Sequence, residues 1–181
     1  MYEDLIEKKV SRKEIYDGRV LHVVADKIIL PSGEESVREF CIHVGAVAVI
    51  PVLSDGRVIM ERQYRYAHSR VFYEIPAGKL DSVDEDPLSA AMRELREETG
   101  AIAGRMTSLG IIDTSPALIN ERIHLYLAED LHFAERELDE DEFLDVVKVP
   151  FGEVVKMIME NKIPDAKTQT AVLKAKILLG K

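Results

Sequence analysis

Apolar residues fall in short blocks along the chain, and the period of each block names an element. Ala46 to Leu53 is a continuous apolar run, as expected of a strand buried on both faces. Asp55-Gly56 turns the chain into a second strand, Val58 to Tyr64. Shorter strands are predicted at Tyr73-Glu74-Ile75, Leu109 to Asp113, Ile123 to Ala128 and Val146 to Val149. Ahead of them, residues 1 to 43 read as strands joined by turns at Asp17-Gly18 and Pro31-Ser32-Gly33. Partial alternation marks Val20, His22 and Val24, then Ile28 and Leu30, and a further strand runs from Ser36 to His43. The C-terminal part switches to helical spacing, first at Phe151, Val154, Val155 and Ile158, then at Val172, Ala175, Leu178 and Leu179. Helices flanking a mixed sheet are the expected architecture, which makes the fold class α/β.

One further helix carries candidate chemistry. Asp86 suits an N-cap, Pro87 the first helical position, and Gly100 the terminating turn. Within it, Arg93-Glu94-Leu95-Arg96-Glu97-Glu98 places three carboxylates in five positions. At 100° per residue, with Glu94 as zero, Glu98 lies at about +40° and Glu97 at about −60°. Leu88, Ala91, Met92, Leu95 and Thr99 spread from about +60° to +160°, so Glu94 and Glu98 sit on the border of the apolar stripe. Carboxylates held together there repel and lose hydration, which is costly unless a cation pairs with them. A hard divalent cation such as Mg²⁺ takes oxygen ligands and commonly brings a phosphate with it. Read alone, the same pattern also describes a solvated helix with Arg93–Glu97 pairing, worth a few tenths of a kcal/mol.

Composition narrows the partners. The chain has 181 residues, a net charge of −9 and one cysteine. Its length suits one domain with a small appendage. The acidic balance argues against a nucleic-acid duplex, and a phosphorylated small molecule would need metal to mediate. Cys41, expected as an inert core thiol, excludes an internal disulfide and fits a reducing compartment. No apolar run approaches the length of a membrane span, and the N-terminus lacks the pattern of a signal peptide. The expectation is a cytoplasmic protein.

The segment Gly78 to Ala101 resembles the Nudix box: a glycine, five residues, a glutamate, seven residues, then Arg-Glu-apolar-X-Glu-Glu-X-Gly-apolar. Gly78 opens it and Arg93 to Ala101 completes it, but six residues separate Gly78 from Glu85. Either the loop carries an insertion or Asp84 replaces the glutamate. Beyond the box, Glu74-Ile75-Pro76-Ala77-Gly78, Pro116 sixteen residues after Gly100, and Asn120 to Ala128 are similar to the ADP-ribose pyrophosphatase subfamily. Tyr16 to Val20 and Arg62 to Tyr66 fit the same group. Ala117-Leu118-Ile119 departs from the Gly-aromatic pair that usually follows the proline.

This resemblance implies an α/β/α sandwich over residues 44–181, with residues 1–43 forming an N-terminal β region that crosses to a symmetry mate in a homodimer. It implies hydrolysis of ADP-ribose to AMP and ribose 5-phosphate. Another nucleoside-diphosphate sugar, or a non-catalytic nucleotide-binding regulator, are the alternatives. Mg²⁺, with Mn²⁺ as its substitute, would be present as two or more ions. They would be held by Glu94, Glu98, the Ala77 carbonyl and Glu142 from the acidic loop 137–142. Glu140 is the implied base, with Glu97 competing for the role, and Arg93 belongs to the same catalytic motif. Arg38, Arg65 and Glu74 are the implied substrate-binding residues, the arginines because a guanidinium binds phosphate through two parallel hydrogen bonds.

Overall fold

The computed structural model describes residues 2–138 and 143–180. The chain divides into two compact units, one of Met1–Val44 with Asp113–Glu121, the other of Gly45–Ile112 with Arg122–Lys181.

The first unit is a three-stranded antiparallel sheet of β1 (Lys8–Asp17), β2 (His22–Ile29) and β3 (Glu35–Ile42), in that order. Val24, Asp26 and Ile28 of β2 are buried, whereas all ten positions of β1 are exposed. The charge-rich sequence of β1 (Lys8, Lys9, Arg12, Lys13, Glu14) hides it from an alternation argument; it is held by ladder bonds and by Arg12. The Arg12 guanidinium donates two bonds of 2.7 Å to the buried Asp26 carboxylate. Asp113–Glu121 joins this unit through the backbone: Cys41 N–H donates to Leu118 O at 2.8 Å, and Asn120 N–H donates to Cys41 O at 3.2 Å. Cys41 is half-buried rather than a core thiol, because it lies on the outer strand of a three-stranded sheet.

The second unit is built around β4 (Ala46–Pro51), whose six residues are all buried. It pairs in parallel with β9 (Arg122–Phe133) and antiparallel with β7 (Ala77–Lys79). With β8 (Ala101–Asp113) they form a mixed sheet of order β7-β4-β9-β8. A second, antiparallel sheet has β5 (Arg57–Arg65) between β10 (Leu144–Pro150) and β6 (Arg70–Glu74).

The continuous apolar run of β4 makes sense once its two faces are followed. Ala46, Ala48 and Ile50 pack with Val154 and Ile158 of α2 (Phe151–Met159) and Ala171, Val172 and Ala175 of α3 (Ala166–Leu179). Val47 and Val49 face the other way, into a core with Ala90, Ala91 and Leu95 of α1 (Pro87–Thr99). A strand alternates its side chains across the sheet, so helices on both faces demand apolar residues at every position. Fully burying Val47, Val49 or Ile50 contributes about 1.5–3 kcal/mol each. This is the three-layer α/β/α arrangement that the resemblance implied. β8 begins eight residues earlier than the strand read from the sequence (109 − 101 = 8), since Gly104 and the polar residues Arg105, Thr107 and Ser108 dilute its apolar pattern. Leu178, expected on the packed face of its helix, is exposed.

Candidate active site

The box helix forms where its punctuation places it. Asp86 caps α1, its Oδ2 accepting from Ser89 N–H at 2.9 Å, with Pro87 in the first turn. Gly100 ends the helix in the left-handed region at φ 72°. The buried face differs from the apolar stripe read from the sequence. Ala90, Ala91, Leu95 and Glu98 are buried, while Leu88 and Met92 are exposed. On the same helical wheel this arc runs from about −40° to +100°, which puts Glu94 and Glu98 inside it rather than on its border. Ala90 and Ala91 pack with Val47 and Val49 of β4, and Glu98 shares that buried arc.

They meet the backbone of β7. Glu98, only 3 % exposed, accepts the Ala77 N–H at 2.9 Å through Oε2. Glu94 lies so close to Gly78 that a Cβ at that position would collide with its carboxylate. The box therefore opens on glycine because the Glu94 side chain fills the space a larger residue would need.

Arg93 organises the remaining acids. One guanidinium nitrogen donates to Glu94 Oε1 at 2.8 Å and Glu97 Oε2 at 3.2 Å; the other donates to Glu85 Oε1 at 3.3 Å and the Lys79 carbonyl at 3.5 Å. Burial lowers the Arg93 pKa, but Glu94, Asp81 and Glu85 more than offset it, so the net shift is upward and the guanidinium stays charged. Of the two residues that could fill the first glutamate position, Glu85 makes this contact and also accepts the Asp81 N–H at 2.6 Å, whereas Asp84 is exposed. The extra residue is thus accommodated in the loop, where length costs little.

Above this helix edge is a cleft of about 510 Å³ lined by Arg65, Ala77, Gly78, Arg93, Glu94 and Glu97 among others. Its charged lining is balanced, with Asp81, Glu94 and Glu97 against Arg65, Lys79 and Arg93. Arg93 is already taken up by Glu94, Glu97 and Glu85, so a metal ion on the box carboxylates would add positive charge for a diphosphate. Among the described residues no three carboxylate, imidazole or thiolate groups converge as a ready-made cage. Arg93 and the Ala77 amide already engage the box oxygens, and Glu140 and Glu142 lie outside the described residues. The donors present are all oxygen and sit one helical turn apart, which fits a hard divalent cation.

Glu74 and Arg65 form a bidentate pair, Nε to Oε1 at 2.7 Å and Nη2 to Oε2 at 2.8 Å. Lys167 of α3 also bonds Glu74 Oε2. Burial alone would raise the Glu74 pKa, but Arg65 and Lys167 outweigh it and hold the carboxyl at about 2. Arg38 belongs to the first unit, where its guanidinium pairs with Glu7. Lys167 was not among the residues read from the sequence. The signal was there: Asp165 and Thr168 mark a helix start, and a lysine in the first turn opposes the helix dipole unless acids surround it.

Three layers with an acidic helix edge laid against a glycine strand define an α/β domain suited to binding metal and phosphate together. The sequence matches the NUDIX domain family over residues 42–171, and the chain belongs to that family. It is 41% identical over 172 residues to the ADP-ribose pyrophosphatase of Bacillus subtilis, covering 94% of this chain and 92% of the relative. A protein named methanol dehydrogenase activator, from Bacillus methanolicus, is 42% identical over 92% of this chain and 90% of its own length. The ADP-ribose pyrophosphatase of Mycobacterium tuberculosis is 31% identical over 91% of this chain and 80% of its own. Among solved structures, an ADP compounds hydrolase superposes with a TM-score of 0.85 over 96% of this chain and 94% of that one, at 22% identity, so it speaks for the fold.

Proposed function

We propose that the protein is a divalent-metal-dependent pyrophosphohydrolase that cleaves ADP-ribose to AMP and ribose 5-phosphate. The observation that carries this reading is the pair Glu94 and Glu98, one turn apart on the buried arc of α1 and pressed against Ala77 and Gly78. Membership of the Nudix family and two relatives named ADP-ribose pyrophosphatase supply the substrate.

Glu94, Glu98, the Ala77 carbonyl and Glu142 would hold two or more ions, Mg²⁺ first and Mn²⁺ as its substitute. When bound, they supply charge neutralisation for the pyrophosphate oxygens and acidify water. Arg65, lining the cleft, takes a phosphate oxygen, and its doubly held guanidinium gives that contact a defined direction. Arg93 ties Glu94 and Glu97 together through one guanidinium nitrogen. Glu140 accepts the proton of the attacking water, with Glu97, which lines the cleft, as the competing base. Arg38 contributes from the N-terminal region of a homodimer, where exposed apolar residues such as Val10, Ile15, Val20 and Val37 favour a partner surface. No described helix is long and apolar enough to cross a membrane, and a cytoplasmic location belongs to the same proposal.

The activator relative supports a second reading, in which the domain binds a nucleotide to regulate another protein. A panel of nucleoside-diphosphate sugars assayed in Mg²⁺ and in EDTA, with AMP release and binding followed separately, distinguishes the two. The hydrolase reading expects AMP from ADP-ribose in Mg²⁺ ahead of the other sugars. Binding without AMP release would favour the regulator.

A further inference from the structure

The reaction as described gives no part to Lys167, a largely buried cation. Lys167 occupies the second position of α3, where the positive end of the helix disfavours an ammonium, and its side chain is only 12 % exposed. Burying it is tolerable because two carboxylates meet it, Glu74 through Oε2 and Asp165 Oδ1 at 3.1 Å. Glu74 is in turn the bidentate acceptor of Arg65, and its own side chain is 4 % exposed. Four charges on three elements, β5, β6 and the start of α3, thus sum to zero. Asp165 is also the α3 cap, accepting the Thr168 N–H at 3.0 Å, and the Thr168 hydroxyl oxygen accepts the Ile75 N–H at 3.0 Å. The cluster is therefore tied to the strand end that leads into Ala77 and Gly78. Arg65 lines both the cleft beside α1 and a cavity of about 390 Å³ that Glu74, Asp165 and Lys167 also line.

We infer that Lys167 is a positioning residue for Arg65, anchoring Glu74 so that the guanidinium is presented to the phosphates of a nucleoside-diphosphate sugar. The inference rests on the pyrophosphohydrolase reading. Without the ammonium, Arg65, Glu74 and Asp165 carry one net negative charge in a poorly hydrated place. Asp165 then repels Glu74, the carboxylate shifts, and the fork that fixes Arg65 loses its seat. Arg65 is also drawn toward the surplus acid and offers less positive potential to a diphosphate. The box carboxylates on α1 are untouched, so the loss falls on binding rather than on the chemical step.

The test uses the full chain as wild type, Lys167→Met and Lys167→Arg. Steady-state ADP-ribose hydrolysis in Mg²⁺ gives KM and kcat, and calorimetry with ADP-ribose in EDTA gives a metal-independent Kd. For Lys167→Met, KM and Kd should rise about tenfold with kcat within about twofold, and Lys167→Arg should recover most of the loss. Unchanged KM and Kd, a fall confined to kcat, or a folded Lys167→Arg no better than Lys167→Met each overturn the inference. If Lys167→Met does not fold, Lys167→Gln replaces it under the same criteria. Wild type that releases no AMP refutes the hydrolase reading instead, and the Kd in EDTA then decides the role of Lys167 alone.

Discussion

Glu74 shows how a single buried carboxylate can be held ionised by two cations. Its folded pKa of about 2 lies below the ordinary 4.5, so its contribution to stability is present above pH 4.5 and is lost as pH falls toward 2. The difference corresponds to about 3 kcal/mol. Glu74→Gln should therefore lower stability at pH 7 by about that amount, since Arg65 and Lys167 lose their shared acid. Between pH 4.5 and 2 the variant should lose less further stability than wild type. Parallel losses across that window in chemical denaturation would show that the cluster is not the source. At this scale the sequence was legible only in part. Glu94, Glu97 and Glu98 declare themselves by spacing along one helix. The Glu74–Lys167 contact spans 93 positions and has no local signature beyond a lysine misplaced against a helix dipole. Glu94 and Glu98 proved more deeply set than the apolar stripe suggested, because Ala90 and Ala91 pack and the larger Leu88 and Met92 do not.

Between elements, two glycines of the box separate catalytic placement from stability. At Gly78 the atoms nearest a Cβ would be the end of the flexible Glu94 side chain, and the backbone there is not left-handed. Gly78→Ala should stay within about 0.5 kcal/mol of wild-type stability, yet activity should fall steeply as Glu94 is pushed off β7. At Gly100 the φ is 72°, and a Cβ would sit 2.6 Å from the backbone oxygen of Ala134, which cannot give way cheaply. Gly100→Ala should cost about 1–3 kcal/mol. Thermal unfolding and AMP release measured together on both variants check the contrast; a Gly78→Ala protein of normal activity would show that Glu94 does not need its seat. Elements with clear punctuation or continuous apolar runs were readable from the chain. α1 begins and ends on Asp86-Pro87 and Gly100, and β4 is apolar throughout because helices cover both its faces. β1 was not readable, since a strand exposed at every position carries no burial pattern, and glycines interrupt that of β8.

For the whole molecule, assembly and activity are expected to depend on one segment. Residues 1–43 are too short to bury a core alone, and they leave Ile6, Val10, Ile15, Val20 and Val37 exposed. If these strands form the dimer interface, it should exceed the ~1,600 Å² total of a standard specific complex. Deleting residues 1–40 should then abolish dimerisation and weaken ADP-ribose binding together. Sedimentation showing a wild-type monomer at micromolar concentration, with full affinity for ADP-ribose, would refute that arrangement. The central claim is narrower: the acidic edge of α1 hydrolyses a pyrophosphate with the help of a divalent metal. It is tested most directly by AMP and ribose 5-phosphate release from ADP-ribose, comparing wild type with Glu98→Gln in Mg²⁺ and in EDTA. The account predicts equal amounts of both products from wild type in Mg²⁺, none in EDTA, and a loss on the order of 100-fold or more in a folded Glu98→Gln protein. A folded Glu98→Gln protein with near-normal turnover, or wild-type turnover that persists in EDTA, would contradict it.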